Sequence, residues 1–239
     1  PDGVTVRTAS AASAMVATTL TTIGQQLATA SGAQATVVDV VPFTTDDPRG
    51  VGLTAGALPI ALGGLLAGVG CLTFLHGDRQ RLVGAAAFAV VGGAALTAVL
   101  QFWFGTFEGS YALTSLAAAL GIGATAMLVL GLERALGAPG IGVAALLVVL
   151  LGNPLSGLAS APEMLPQPWG TIGQLLPPGA TGTLLRNVAF FDGASTAQPV
   201  LVLACYVALG LGLYALGARR TPREQVAASG EAQAAQAAV

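Results

Sequence analysis

The sequence predicts an all-α membrane protein: a five-helix transmembrane bundle with a re-entrant outer helical hairpin and a partial α/β extracytoplasmic segment at its start. Three observations carry this. Only 8% of the 239 residues are charged while 54% are hydrophobic, and mean hydropathy is +0.77, whereas a soluble domain carries roughly a quarter charged residues. The few charges leave five uncharged windows long enough to cross about 30 Å of hydrocarbon, which takes about 20 apolar residues. One further apolar stretch, residues 152–187, is interrupted by six prolines.

Residues 1–50 differ from the rest. Met15, Val16, Leu20, Ile23 and Leu27 recur near helical spacing in a Thr, Ala and Gln background, which predicts an amphipathic helix. Val37, Val38, Val40 and Val41 form a β-branched run closed by Pro42 and the polar TTDDPRG. This segment reads as the C-terminal end of a larger extracytoplasmic domain. The sequence starts at Pro1 without an initiator Met, so upstream residues are expected.

The five spans are expected at about 51–75, 82–102, 111–132, 140–158 and 199–216. None alternates as a barrel strand does, and in lipid a segment must satisfy its own backbone polar groups, so each is read as a helix. Phe102, Trp103, Phe104, Phe107 and Tyr111 fall where the second span should leave the bilayer and the third enter it, the position of an interfacial aromatic belt. Gly64 and Gly68 form a GxxxG spacing that lets helix backbones approach, and such small surfaces also admit a homodimer.

All nine basic residues are Arg, which reads as the codon bias of a GC-rich bacterial genome. Arg79, Arg81, Arg134, Arg219, Arg220 and Arg223 fall on one side of the five spans, against Arg7, Arg49 and Arg186 on the other. The positive-inside rule then places residues 1–50 outside and the 219–239 tail in the cytoplasm of a bacterial plasma membrane. His76, Asp78, Arg79 and Arg81 form a short cytoplasmic loop, and the tail, rich in Ala, Gln and Glu, is expected to fray.

The stretch 152–187 holds Pro154, Pro162, Pro166, Pro168, Pro177 and Pro178. Proline ends or kinks a helix, so the fourth span should end or bend near Pro154. Leu158, Met164, Leu165, Trp169, Ile172, Leu175 and Leu176 are too apolar for a solvated loop. An outer re-entrant hairpin over 159–190 fits, capping a pathway. An interfacial hairpin that only seals the bundle fits equally.

The order GNPLSG, then Pro162, Met164, Leu165 and Pro166, then Trp169, then Pro177 and Pro178 with Arg186 before the last span, resembles the permease subunits of type-2 ABC transporters. More narrowly it is similar to the Pip/YhgE-like membrane proteins, named for phage infection protein. The resemblance implies one N-terminal span, a large outer domain, and five later spans with a re-entrant hairpin before the last. It also implies an outer gate or cap at Asn153, Pro154, Gly157, Pro162, Met164, Pro166, Trp169, Pro177, Pro178 and Arg186. Type-2 permeases usually dock an ATPase through a longer loop between their second and third spans, whereas HGDRQR is short, which favours the Pip/YhgE-like branch.

Other functions are disfavoured by what the sequence lacks. No charge sits at a span centre, where ion-coupled carriers and voltage sensors place theirs. There is no phosphate loop, HExxH or paired-Cys motif, and Cys71 and Cys205 lie in apolar runs. The Ser156-Gly157 pair of an intramembrane protease would need a His nearby to take its proton, and the sole histidine, His76, is assigned to the opposite face. A net charge of -2 offers no footprint for nucleic acid. The expectation is therefore a permease-like subunit and not an enzyme. It would have no cofactor and no nucleotide site of its own, with membrane lipids, a separate ATPase subunit or a secretion assembly as partners. The alternative is a non-transporting scaffold or receptor, such as a phage receptor or secretion-system component.

Overall fold

The computed structural model describes residues 3–237, without the side chains of Ala57, Leu58 and residues 219–237. A small unit comes first: strand β1 (Val4–Thr8), helix α1 (Ala14–Ser31) and strand β2 (Ala35–Asp39). The strands pair in parallel, Val4 beside Ala35 through Thr8 beside Asp39, and parallel neighbours need a crossover, which α1 supplies. Ser13 caps α1 by accepting from the Val16 N–H at 3.3 Å. The helix does not pack by its larger apolar residues: Gly24 and Ala28 are buried, Gly24 against the Val6 side chain, whereas Met15, Leu20, Ile23 and Leu27 are exposed. Small residues let the helix lie close on two strands, and that leaves the larger side chains outside the contact.

Five helices are long and apolar enough to cross a membrane: Val51–Phe74, Asp78–Trp103, Tyr111–Leu136, Ala138–Leu155 and Ala197–Ala218. They lie within α2 (Val51–Phe74), α3 (Asp78–Ala98) with its π-helical extension Val99–Trp103, α4 (Tyr111–Leu136), α5 (Ala138–Ala145) with a π-helical stretch Leu146–Gly152 and the turn α6 (Asn153–Leu155), and α9 (Ala197–Ala237). Between the last two lie the short helices α7 (Trp169–Gln174) and α8 (Pro177–Phe190). The fourth span stops at Leu155, one residue past Pro154, whereas α2 continues past Pro59 to Phe74. The helix of α9 continues through residues 219–237, so the segment expected to fray is helical. Arg219, Arg220 and Arg223 lie outside the described side chains.

Local chemistry starts α2 sharply. The Asp47 carboxylate accepts from the Val51 N–H at 2.9 Å and the Gly52 N–H at 2.8 Å, satisfying donors that a helix start leaves free and placing a negative charge at its positive end. The polar TTDDPRG is thus a helix cap, with Thr44 in turn accepting from the Asp47 N–H.

Helix α4 is the hub. Two-thirds of its span, 67%, is buried inside the protein, against 22–38% for the other four, and it contacts α2, α3, α5, α8 and α9. Many of its inward residues are small, including Ala117, Ala118, Gly121, Ala124 and Ala126, and Ile122 and Met127 through Leu130 fill the rest. Gly64 and Gly68 of α2 lie against it, Gly64 on Thr125 and Gly68 on Val129. The GxxxG surface is therefore used within the chain. Gly93 of α3 abuts Ala119, and Gly210 of α9 abuts the Met127 backbone. Lipid gives helices no hydrophobic drive to associate, so such close approach is what holds them.

The bundle has two chemically different ends. At one, Asp78 accepts from the Tyr214 hydroxyl at 2.9 Å and pairs with Arg134 at 3.5 Å, while the Arg134 guanidinium lies 5.7 Å from the Tyr214 ring centroid. Arg81 turns back, its Nε donating to the Leu75 carbonyl at 2.8 Å, and His76 and Arg79 are exposed. At the other end Phe190 holds Phe43 and Phe107 edge-on, at 5.6 and 6.3 Å. Phe107 is thus core rather than belt, since it is buried among the apolar side chains of the bundle beside Phe190, whereas Phe102, Trp103 and Phe104 are exposed.

Gly68→Leu is expected to cost about 1–3 kcal/mol by overpacking against Val129, whereas Gly63→Leu, with nothing within 4 Å, should cost little. Thermal unfolding in detergent reads both, and equal melting points would remove the α2–α4 contact.

Candidate functional site

The prolines, glycines and amides of residues 152–196 fold into two short helices linked to the end of α5. Ser156 closes the α6 turn, its hydroxyl donating to the Asn153 carbonyl at 2.7 Å and accepting from the Leu158 N–H at 3.3 Å. Gly157 follows at φ 67°, with Pro162 so close that a Cβ would meet its backbone nitrogen at 2.6 Å. Only glycine fits both demands. After a 3₁₀ turn at Pro162–Met164, α7 brings Gly173 onto the Leu155 carbonyl.

Helix α8 begins with Pro177, tolerated there because its missing N–H would have had no partner in the first turn. Residues Pro177 through Gly182 are all buried. Pro178 faces Gly152 of the α5 extension, and Thr181 faces Gly121 of α4 while its hydroxyl donates to the Pro177 carbonyl at 2.6 Å. Gln174 joins the two short helices to the α6 turn: its amide donates to the Ser156 carbonyl at 2.8 Å and its oxygen accepts from the Thr183 hydroxyl at 2.6 Å.

The N-terminal unit sits over this assembly, the Ser13 hydroxyl donating to the Ser160 carbonyl at 2.8 Å. Between them lies a cavity of about 590 Å³ with Arg7, Glu163, Gln174, Arg186, Asn187 and Gln198 in its wall. Arg186 is partly buried and its Nε, closed off from solvent, has no hydrogen-bond partner among the described residues. Burial holds its pKa below the usual guanidinium value, and the Glu163 charge opposes that shift. No ion pair forms between them within 4 Å, the Arg134–Asp78 pair being the one recorded among the described residues.

Of the residues singled out by sequence, Pro162 and Arg186 line this cavity, while Pro177 and Pro178 anchor α8 in the bundle. Asn153 and Pro154 are exposed on the α6 turn, and Pro166, Met164 and Trp169 are exposed along the segment leading into α7, so they do not join Arg186. Arg7, Gln174 and Asn187 were not singled out. The signal for Gln174 was its being the lone amide in the apolar run GTIGQLL; Arg7 carried none. Among the described residues no three His, Cys, Asp or Glu side chains converge as metal ligands, and Cys71 and Cys205 are free thiols.

Replacing Gln174 by Leu removes both of its bonds and orphans their partners, an expected loss of about 1–3 kcal/mol, whereas Met164→Ala should shift the melting point far less. A Gln174→Leu protein as stable as wild type would mean that α7 and α8 are held by something else. No family model, curated protein or solved structure matches this chain.

Proposed function

We propose that the chain is a multi-pass, permease-like subunit of a bacterial plasma membrane, with α7 and α8 as a re-entrant cap over the outer mouth of the bundle. The observation that carries this is the seat of α8. Thr181 meets α4 at Gly121, about ten residues past its start at Tyr111, or about 15 Å at 1.5 Å per residue. Helix α4, with 26 residues, is about 39 Å long, so that contact lies over a third of the way along it, and α8 then returns to the end where Phe190 meets Phe43. A segment that enters part-way and leaves by the same face suits a re-entrant reading. Its irregular backbone is tolerable because α4 and α5 cover it.

The excess of Arg at the Asp78 end supports that end as cytoplasmic. The cap, with the N-terminal unit above it, is then external. The apolar side chains left exposed along it, Met164, Trp169, Ile172 and Leu175, suit an interfacial seat. The resemblance to type-2 ABC permeases supports outward movement of a hydrophobic or polymeric substrate, or of a secreted protein. With no nucleotide motif in the sequence, a separate ATPase subunit or a secretion assembly would supply the energy. On this reading the chain performs no catalysis.

A non-transporting scaffold or receptor is favoured by one observation of its own. The N-terminal unit exposes Met15, Leu20, Ile23 and Leu27 on α1 and Val37, Val38 and Val40 along and just after β2, and Met15, Ile23 and Val37 line one groove, an apolar patch suited to a protein partner.

Cells lacking the chain are expected to lose at least one exported amphiphile or protein from the medium. Wild type should restore it, and Gly182→Leu, which wedges α8 from Leu158, should restore it poorly. An unchanged exported profile in the deleted cells would refute transport and leave the scaffold.

A further inference from the structure

We propose that the cavity beneath the N-terminal unit is a binding site for a phosphate oxyanion, held between Arg186 and Arg7. Two arginines meet there. Arg186 makes no hydrogen bond or ion pair among the described residues, although its Nε is sealed from solvent. A desolvated charge left unpaired is costly, and buried guanidinium groups normally have partners. Arg7, on β1, lines the same cavity and, among the described residues, likewise has no ion pair.

The cavity volume of about 590 Å³ falls in the range of small-molecule sites. Two guanidinium groups match the several oxygens of a phosphate, each able to donate two parallel bonds. Asn187 and Gln198 add neutral polar groups around it, and Val16, Leu20 and Phe191 give an apolar wall for whatever carbon skeleton the phosphate carries. Glu163, the one carboxylate in the wall, repels a second negative charge and favours a ligand with a hydroxyl or ammonium next to its phosphate.

Two sources supply this chemistry, the headgroup of a phospholipid and a free phosphate compound. The site stands whether or not the chain moves cargo, because it rests on the arginines and the cavity alone.

The test uses the full chain in phosphate-free detergent, titrated calorimetrically with inorganic phosphate and, separately, with mixed micelles containing phosphatidylglycerol. Saturable binding of at least one probe is expected, weakened about tenfold or more in Arg186→Gln and in Arg7→Gln, the size of one lost charge-assisted hydrogen bond. Arg49→Gln, which lines a different cavity, should bind as wild type does. A response to inorganic phosphate assigns a free phosphate ligand, and a response to phosphatidylglycerol alone assigns a lipid headgroup. Absence of saturable binding with both probes overturns the site, as does binding that both arginine variants leave intact. An equal loss in Arg49→Gln would reduce the effect to net charge and overturn it too. If Arg186→Gln does not fold, Arg7→Gln, at an exposed position, decides alone.

Discussion

Everything in this bundle depends on backbones coming close on α4. In water, apolar surface would drive five such helices together. In lipid that drive is absent, and dispersion between well-fitted surfaces must do the work. The chain answers with small residues at many of the buried positions of α4, Ala117, Ala118, Gly121, Ala124, Thr125 and Ala126 among them, and with glycines opposite: Gly64 and Gly68 from α2, Gly93 from α3, Gly210 from α9. Helices with large side chains at those points would stand farther apart and lose that contact. The same small surface at Gly121 admits Thr181 of α8, so what packs the bundle also makes room for the short helices within it.

The polar chemistry is pushed to the ends. At one end Asp78, Arg134 and Tyr214 tie together the α2–α3 turn, the end of α4 and α9, so three span termini are held by one carboxylate. At the other, the Asp47 cap, the phenylalanine trio and the Ser13–Ser160 bond set the N-terminal unit on the paired short helices. The cavity with its unpaired Arg186 lies within this second end. The α4 hub thus carries a layered end in which the N-terminal unit and the short helices border a cavity lined by Arg7, Glu163 and Arg186.

Much of this was legible in the sequence, and the unread parts have physical reasons. Charge placement marked all five spans, because a charge is expensive in hydrocarbon and so fixes span limits. Pro154 marked the end of the fourth. The identity of the hub was not legible, because α4 has a mean span hydropathy of 2.0 while the others range from 1.9 to 2.2; hydropathy cannot tell a lipid-facing helix from one packed by neighbours. Periodicity misled for α1, where Gly24 and Ala28 rather than Leu20 and Ile23 make the contact. Phe107 read as belt because sequence shows proximity to a span end, not the presence of Phe190 across from it. In the candidate site, Arg186 was singled out by its place before the last span. Arg7 was not, because its relation to Arg186 exists only after α1 and β1 fold back over α8.

The most direct test of the α4 hub is a footprint of the native chain in lipid bilayers with a lipid-soluble carbene reagent, mapped by mass spectrometry. Residues Ala124–Leu130 of α4, which are buried, should take almost no label, while Val90 and Val91 of α3 and Leu201 of α9, which are exposed, should take it heavily. Labelling of α4 as heavy as that of α3 and α9 would contradict a bundle built around it.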